Sequence, residues 1–405
     1  RLGFLSSHFR WHSVGRLMVG IVEGLCHNPR FNVFVIHTGH MGETGSEDPV
    51  WARLTGANAS MVLLPRNLPG AYLTLTDLEL DVLVFCDVGM EALSSFIAHG
   101  RYAPVQITFW GHPYTTGLGT MDYFITSDLF EPNTAPDKET QGQGSSCNSS
   151  PNPNPNPNLG VGLAGSTSVG NRQVEFREQL VRLEGITTVF DDPVQTYKDP
   201  AEDDRSLSAT HLFVCAQSLM KLHPEFDYAL AGVLLADPQA QVVFLRDPGQ
   251  LIWHSRFQKR FKRVLQASQD NSNSSSNNRV HFASPMSAKE FYKLQCRADV
   301  VLDPFPFGGG ITTLEALACG TPVVTAPTLQ NVHRLASGML QVVAATVLIA
   351  TSLDDYVRKA IAIAQSGVLR ERVRDQLQLG RKGLFMDRTV LEDWERFLKR
   401  VVGGP

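Results

Sequence analysis

One segment of the 405-residue chain, Ala298 to Ala326, constrains the fold more than any other. Its two ends, Ala298 to Leu302 and Pro322 to Ala326, are continuous apolar runs, which are typical of parallel strands buried on both faces. Between them lies a run of three glycines, followed by a stretch with the composition of a helix. A strand, a glycine loop, a helix and a second strand in this order predict parallel α/β architecture.

The glycine loop also suggests a ligand. Gly308, Gly309 and Gly310 have no Cβ atoms, so backbone N–H groups there can approach a ligand closely. Thr312 and Thr313 then open the helix, whose free amides and dipole favour an anion. The loop matches neither GxxxxGK[ST] nor GxGxxG, which disfavours ATPases and dehydrogenases. It therefore predicts a site for a nucleotide diphosphate, with tight packing of strand against helix as the alternative.

Composition and charge narrow the range of partners. The net charge is -4 with a pI near 6.3, and 43% of the residues are hydrophobic. The densest basic cluster, Arg256 to Arg263, is typical of the exposed face of a helix. No apolar run approaches the roughly twenty residues that a membrane helix needs. We therefore expect neither a nucleic acid nor a membrane as a partner.

The cysteines bear on the compartment. There are six, with no CxxC pair, and Cys86, Cys215 and Cys319 lie inside apolar runs. This pattern favours buried thiols over disulfides or zinc ligands, and it predicts the cytoplasm or the nucleus. The chain starts at Arg1, already in a strand-like run, and we expect it to be a fragment of a longer product.

Strand-like runs alternate with helical stretches in both halves of the chain, which predicts two parallel α/β units. The strands predicted in the first half are Leu2 to Leu5, Phe31 to His37, Met61 to Leu64, Val82 to Cys86, Val105 to Trp110 and Tyr123 to Thr126. Those predicted in the second half are Leu212 to Ala216, Gln241 to Leu245, Val280 to Phe282, Val300 to Leu302 and Val323 to Ala326. Two polar segments, Lys138 to Gln173 and Ser268 to Asn278, read as disordered insertions because they lack apolar surface to bury.

Several separated segments together resemble glycosyltransferase family 41, which includes the animal O-GlcNAc transferase, the plant SPINDLY O-fucosyltransferase and many bacterial relatives. The resemblance covers nearly the whole chain outside the two insertions. Its segments are RLGFLSSHFRWHSVGRLM from Arg1, APVQITFWGHPYTTGLGTMDYFITSD from Ala103, EQLVRLEG from Glu178, FVCAQSLMKLHPE from Phe213, HFASPMSAKEFYKLQCRADVVLDPFPFGGGITTLEAL from His281 and GTPVVTAP from Gly320.

The resemblance implies the GT-B fold, an α/β architecture of two Rossmann-like lobes with a cleft between them. It gives residues 1–137 as an N-terminal acceptor-side lobe, 138–173 as a disordered low-complexity insertion, and 174–205 as the end of that lobe and a linker. Residues 206–385 would form the C-terminal lobe that binds the nucleotide sugar. Residues 386–405 would form a helix that packs back on the N-terminal lobe.

The implied reaction is an inverting, metal-independent transfer of a sugar from a nucleotide sugar to serine or threonine hydroxyls of proteins. GlcNAc is the expected sugar and UDP-GlcNAc the expected donor, which is a substrate, so no cofactor is expected. The partners are then the nucleotide sugar and a protein acceptor. Tetratricopeptide repeats often precede this region in the family, and we expect them outside the present sequence.

Three residues receive catalytic roles. Lys221 matches the family lysine that neutralises the charge developing on the leaving nucleotide, an electrostatic role that a lysine at a strand end can fill. His12 matches a family histidine that faces donor and acceptor, and it could orient a hydroxyl or accept its proton. Asp87, at the end of a predicted strand, is a second candidate proton acceptor, with a helix cap as the alternative.

Further residues are assigned to binding. Glu315 aligns with an acidic residue that holds the nucleotide ribose, and Met286 and Phe291 match positions near the base. The predicted nucleotide-sugar site comprises Met286, Phe291, Gly308, Gly309, Gly310, Thr312, Thr313 and Glu315. The predicted acceptor-side loop comprises His112, Tyr114, Thr115 and Thr116. No metal ligand is expected.

The sequence leaves alternatives open. Gly310 replaces a histidine of the animal enzyme, so a SPINDLY-like O-fucosyltransferase that uses GDP-fucose is one of them. His8, Met90 and Gly310 replace polar residues of the family, which also permits a non-catalytic nucleotide-binding interaction module. A nucleotide-sugar epimerase or a glycogen-type phosphorylase could use the same two-lobed scaffold.

Overall fold

The apolar runs of the sequence become the strands of two parallel sheets, each in its own lobe. The computed structural model describes residues 1–39, 48–131, 175–197, 210–246, 249, 251–268, 278–328 and 334–403. The predicted insertion at 138–173 lies outside these residues, as does nearly all of the second one at 268–278. The α/β class and the two-lobed arrangement are confirmed.

In the described residues, the first sheet has seven parallel strands in the order β3-β2-β1-β4-β5-β6-β7. Its strands are β1 (Leu2–Ser6), β2 (Val33–His37), β3 (Ser60–Leu63), β4 (Val82–Phe85), β5 (Val105–Phe109), β6 (Tyr123–Ser127) and β7 (Gln179–Leu183). β1, β2 and β4 are buried throughout, as expected for a sheet with helices on both faces.

The second sheet has five parallel strands in the described residues, in the order β10-β9-β8-β11-β12. Its strands are β8 (His211–Cys215), β9 (Ala240–Leu245), β10 (Val280–Ala283), β11 (Val300–Leu302) and β12 (Val323–Val324). The eleven strands predicted from the sequence all occur, with ends that differ by up to two residues. The sequence analysis missed β7, which was interpreted only as part of a family segment.

Helices connect the strands and cover the sheets. The first lobe contributes α1 (Ser13–Cys26), α2 (Pro49–Gly56), α3 (Leu68–Asp77), α4 (Ala92–Ile97) and α5 (Pro193–Tyr197). The rest are α6 (Pro224–Ala236), α7 (Leu251–Ser268), α8 (Ala288–Arg297), α9 (Ile311–Ala318), α10 (Leu335–Val342), α11 (Leu353–Gln365), α12 (Gly367–Gly380) and α13 (Thr389–Gly403). None of the helices in the described ranges combines the length and the apolarity that crossing a bilayer requires.

The strand order reverses beside the first strand of each lobe. β2 and β3 lie on one side of β1, whereas β4 to β7 lie on the other. In the same way, β9 and β10 lie on one side of β8, and β11 and β12 lie on the other. At such a reversal the loops after two neighbouring strands diverge, which opens a crevice at the carboxyl ends of the strands. The fold thus provides one crevice after β1 and β4, and another after β8 and β11.

The last helix, α13, returns to the first lobe and packs on its sheet. Its buried residues are spaced at helical intervals along one face. The Trp394 ring lies 6.5 Å from that of Phe4 and 5.8 Å from that of Phe109, and its Nε1 donates to the carbonyl of Thr187 at 3.2 Å. The C-terminal segment therefore completes the core of the N-terminal lobe.

One sequence expectation about the cysteines is wrong. Cys296, in the last turn of α8, forms a disulfide with Cys319, the residue that follows α9. Cys86 and Cys215 are buried free thiols, as predicted. The two paired cysteines are 23 positions apart in sequence, and only the packing of α8 beside α9 brings them together. Because one disulfide is present, the cysteines do not by themselves indicate a reducing compartment.

The docking of α13 can be tested with Trp394→Ala. Because the indole is fully buried, we expect its removal to lower the free energy of unfolding by about 3–5 kcal/mol. Urea-induced unfolding of the chain, followed by circular dichroism, measures the change. Arg396→Ala on the exposed face of the same helix is the control, and we expect it to stay within about 0.5 kcal/mol. Equal effects of the two substitutions would show that α13 is not part of the core.

Candidate functional site

The crevice of the second lobe brings Lys221 to the N-terminus of α9. Lys221 Nζ donates to Gln217 Oε1 at 3.2 Å, and Gln217 Nε2 in turn donates to Thr312 Oγ1. Gln217 follows β8, and Thr312 lies in the first turn of α9. Lys221 also lies 4.5 Å from the centroid of the Phe307 ring, which holds the ammonium group over the ring face. A cation and a helix N-terminus therefore meet at one place.

The glycine loop is fixed by Asp303, which follows β11. Its carboxylate accepts from the Gly309 N–H at 2.6 Å and from Thr325 Oγ1 at 2.7 Å. Thr313 Oγ1 donates to the Gly309 carbonyl at 3.0 Å. A Cβ atom on Gly309 would lie 2.6 Å from Thr312 Oγ1, so a larger residue would displace the helix opening. The glycine is needed here for close packing.

Burial sets the charges in this crevice. Burial raises the pKa of Asp303 to about 6, against the opposing effects of its hydrogen bonds and of the Lys221 charge. Burial also lowers the pKa of Lys221, while Asp303 acts in the opposite direction. A lysine with few competing water contacts interacts strongly with an incoming anion, because the local dielectric constant is low. The site is therefore suited to a diphosphate.

The residues predicted to contact base and ribose lie on the same side of the lobe. Met286 precedes α8 and Phe291 lies within it, and both are half-buried. Glu315, on α9, is buried. Its Oε1 accepts from Arg16 Nη1 at 2.7 Å, and its Oε2 accepts from Gln295 Nε2 at 3.2 Å. Both carboxylate oxygens have protein partners and the side chain is only 4% exposed, so a ribose could reach Glu315 only if a covering side chain moved.

Arg16 links the two lobes through Glu315. It lies on α1, with its guanidinium between the rings of Trp11 and Phe190 at 4.7 and 5.0 Å from their centroids. Tyr197, at the end of α5, donates to the same Glu315 oxygen at 3.3 Å. The ion pair is nearly buried, since the side chains are 13% and 4% exposed. The sequence analysis assigned no role to Arg16.

His12 caps α1 at the edge of the first-lobe crevice. Its Nδ1 accepts from the Val14 N–H at 3.3 Å, so in the neutral ring the proton is on Nε2. Burial, with the nearby charges of His8, Arg10 and Lys221, lowers the pKa of His12 to about 4. Arg16, one turn further along α1, reaches Glu315 of the second lobe at 2.7 Å, so this end of α1 lies close to α9. His12 is therefore a neutral hydrogen-bond donor.

Asp87 contacts the loop that follows β1. It follows β4, is fully buried, and accepts from Ser6 Oγ at 2.7 Å through Oδ2. The same oxygen lies 2.5 Å from His8 Nδ1. Because its carboxylate has no exposed surface, Asp87 can act on a substrate only through His8. The predicted role of Asp87 as a direct proton acceptor does not fit this burial.

The predicted acceptor-side loop follows β5 and is held by a buried carboxylate. Glu178 accepts from Thr115 Oγ1 at 2.5 Å and from the Thr116 N–H at 2.7 Å. The hydroxyls of Thr115 and Thr116 are therefore used to hold the loop to Glu178. Tyr114 is exposed at the surface, whereas His112 is partly buried. Burial lowers the pKa of His112, opposed by Asp87, and burial raises the pKa of Tyr114.

The residues that the sequence analysis missed share one signal. Gln217, Asp303 and His8 each come soon after a buried strand, at its carboxyl end. Polar residues at this end of neighbouring parallel strands meet at one edge of the sheet. Arg16 and Glu178 carry no such signal, because only tertiary packing shows their partners. Among the described residues, no group of three or more His, Cys, Asp or Glu side chains is arranged to hold a metal ion.

Fold and site together define a two-lobed α/β protein in which a lysine meets a helix N-terminus at the strand-order reversal of the second lobe. The profile of the family described as glycosyl transferase family 41 matches residues 238–390. A solved structure of a mutant O-GlcNAc transferase from Thermobaculum terrenum superposes with a TM-score of 0.72 and 21% identity. The superposition covers 99% of this chain and 67% of that one, and it confirms the GT-B fold.

Curated relatives agree with the profile. A tomato (Solanum lycopersicum) SPINDLY protein, named as a probable UDP-N-acetylglucosamine–peptide N-acetylglucosaminyltransferase, is 25% identical over 304 residues. That match covers 74% of this chain and 27% of the relative. The SEC protein of Arabidopsis thaliana, with the same activity in its name, is 21% identical over 94% of this chain and 34% of its own length. The chain spans about a third or less of the length of these relatives, and its residues 238–390 are similar to glycosyltransferase family 41.

The state of His12 gives a testable pH dependence. Its pKa of about 4 in the folded chain is lower than its ordinary 6.5, so between these values the unfolded chain binds more protons. Stability should therefore fall as the pH decreases from 6.5 to 4. His12→Asn keeps a capping side chain but removes the titration. We expect the variant to lose about 1–2 kcal/mol less than the wild type over this range, since the ring is partly exposed and solvent screens the shift.

The measurement is urea unfolding of both proteins at a series of pH values. His99→Asn, at an exposed position in the same lobe, is the control and should follow the wild type. Parallel pH curves for wild type and His12→Asn would contradict the lowered pKa of His12.

Proposed function

We propose that the chain transfers a sugar, GlcNAc, from UDP-GlcNAc to serine or threonine hydroxyls of proteins, with inversion and without a metal ion or another cofactor. The observation that carries the proposal is the convergence of Lys221, Gln217 and Thr312 on the N-terminus of α9. The printed names of the SPINDLY and SEC relatives support the donor and the kind of acceptor. By the same analogy, we place the reaction in the cytoplasm or nucleus.

The second lobe would stabilise the leaving nucleotide. As the bond between sugar and phosphate breaks, negative charge grows on the diphosphate. The ammonium of Lys221 and the free N–H groups at the start of α9 would both face this charge. Preorganised groups of this kind lower the barrier because they need no reorientation during the reaction. Lys221 would thus supply charge neutralisation that other enzymes obtain from a divalent ion.

The nucleoside would lie along α8 and α9. The half-buried ring of Phe291 could stack on the base, with Met286 beside it. Glu315 would accept from the ribose hydroxyls after releasing Gln295 or Arg16. Donor binding would then be coupled to the contact between lobes, because the same carboxylate serves both. Among the described residues, Leu335 alone would lie within 4 Å of a Cβ added to Gly310, so these residues leave room near the phosphates.

The acceptor would approach from the first lobe. His12 presents Nε2–H near the phosphate site, where it could donate to the donor or to the acceptor hydroxyl. The exposed Tyr114 and the partly buried His112 would contact the acceptor chain, while Glu178 holds the loop through Thr115 and Thr116. Closure of the crevice over the two substrates would exclude water and limit hydrolysis of the donor.

A donor panel tests this function. The chain is incubated with UDP-GlcNAc, UDP-glucose and GDP-fucose, each with a library of serine- and threonine-containing peptides, with and without EDTA. We expect mass spectrometry to show a peptide adduct of one N-acetylhexosamine from UDP-GlcNAc only, undiminished by EDTA. A deoxyhexose from GDP-fucose would instead show an O-fucosyltransferase. UDP binding without any transfer would show a nucleotide-binding module and overturn the proposal.

Lys221→Ala tests how the donor is held. Without the ammonium, we expect UDP to bind about 10–100-fold more weakly and kcat to fall about 100–1,000-fold, the size of effect seen when one oxyanion-stabilising group is removed. Calorimetry with UDP measures the first quantity and the peptide assay the second. Lys259→Ala, on the exposed face of α7, is the matched control and should leave both unchanged. Unaltered UDP binding in Lys221→Ala would contradict the assignment.

A further inference from the structure

The loop after β1 contains a second histidine, His8, whose ring is held by buried groups. Its Nδ1 lies 2.5 Å from Asp87 Oδ2 and 2.8 Å from Ser7 Oγ, and its backbone N–H donates to Ser6 Oγ at 2.8 Å. Ser6 Oγ itself donates to the same Asp87 oxygen at 2.7 Å. The ring is therefore oriented by a carboxylate that has no solvent contact.

The contact with Asp87 decides which nitrogen of His8 carries the proton. An ionised carboxylate can only accept, so a nitrogen 2.5 Å away must donate to it. The neutral ring is then protonated on Nδ1, and Nε2 carries a free lone pair. In the part of the chain that the structure describes, Nε2 of His8 has no hydrogen-bond partner in the protein. This is the arrangement in which an imidazole accepts a proton.

His12 has the opposite tautomer. The two rings stack with centroids 4.1 Å apart at an angle of 28°. The Val14 N–H occupies Nδ1 of His12, which leaves Nε2–H as a donor. The stacked pair therefore presents one acceptor, on His8, beside one donor, on His12. A hydroxyl group beside the pair could donate its proton to His8 and accept a hydrogen bond from His12.

The two histidines lie at the crevice of the first lobe, where the strand order reverses. His8 follows β1 and Asp87 follows β4, the two strands at the order reversal of the first sheet. Arg16, one turn after His12 on α1, donates to Glu315 on α9 at 2.7 Å, which places the histidines near the helix that carries the proposed phosphate site. Gly15 of α1 packs on this loop, because a Cβ there would lie 2.2 Å from the Arg10 carbonyl and 2.5 Å from the His8 carbonyl.

We propose that His8 is the general base of the transfer and that Asp87 is its positioning residue, an assignment that rests on the proposed function. The O–H bond of the acceptor breaks and its proton moves to Nε2 of His8. The hydroxyl oxygen bonds to the anomeric carbon, and the bond from that carbon to phosphate breaks with its electron pair going to the nucleoside diphosphate. The imidazolium formed is stabilised by Asp87, and the diphosphate by Lys221 and α9.

The test compares His8→Gln with Asp87→Asn, His12→Asn and wild type. We expect His8→Gln to lower kcat about 100–10,000-fold, the usual contribution of a general base, while UDP binding changes less than twofold. Asp87→Asn should lower kcat by a similar factor, because the amide favours the wrong tautomer of His8. His99→Gln, an exposed histidine of the same lobe, should match the wild type.

The pH profile separates a base from a merely structural residue. Since His8 must be neutral to accept a proton, kcat/KM of the wild type should fall at acid pH, and His8→Gln should lack this limb. His12→Asn should retain the limb. The titratable or charged groups around the two rings are Asp87, Arg10, Lys221 and His112, so the profile is fitted with His12→Asn and Lys221→Ala measured in parallel.

A second measurement does not depend on turnover. In protein labelled with ¹⁵N-histidine, we expect NMR to show the His8 proton on Nδ1 and the His12 proton on Nε2 at pH 7. A His8 proton on Nε2, or His8→Gln activity within tenfold of wild type with the acid limb intact, would overturn the assignment to His8. A wild-type chain that transfers no sugar overturns the proposed function itself, and the role of His8 in transfer with it.

Discussion

The structure depends on the reversal of strand order in each of two parallel sheets. In a parallel sheet every strand ends at the same edge, so polar residues that follow buried strands collect there. β1 and β4 bring His8 and Asp87 together across 79 sequence positions, and β8 and β11 bring Gln217 and Asp303 together. The apolar runs that build the sheets thereby also place the polar groups of both crevices.

The contact between the lobes is the second constraint. Arg16 of α1 and Glu315 of α9 form an ion pair that is almost withdrawn from solvent. The cost of desolvating both charges is offset only because Tyr197 and Gln295 satisfy the remaining oxygen positions. Such a pair contributes little net stability, but an arrangement of the lobes that separated the two side chains would leave a buried charge without a partner. It therefore fixes α9, and with it the proposed phosphate site, relative to the first-lobe crevice.

Much of this could be predicted from the sequence, and the failures have physical causes. Continuous apolar runs located eleven strands, and the glycine loop located the helix N-terminus at Thr312. The disulfide between Cys296 and Cys319 was missed because the pairing depends on how α8 packs beside α9. Glu315 was assigned to a ligand and lies in a network with Arg16 from the other lobe, which no local pattern encodes. Local signals identify elements, whereas partners distant in sequence follow from packing.

The two lobes carry different charged groups, and each lobe has its own role in the proposed reaction. On the first lobe, burial keeps His12 neutral, and the His8–Asp87 contact concentrates negative charge behind a ring that can accept a proton. On the second lobe, Lys221 and the positive end of α9 would bind an anion. Asp303 lies near Lys221, and its negative charge partly offsets the positive charge of the lysine. A proton would thus leave the acceptor toward one crevice while negative charge leaves the sugar toward the other. Each developing charge would be stabilised by an opposite charge on its own side of the cleft, the imidazolium by Asp87 and the diphosphate by Lys221.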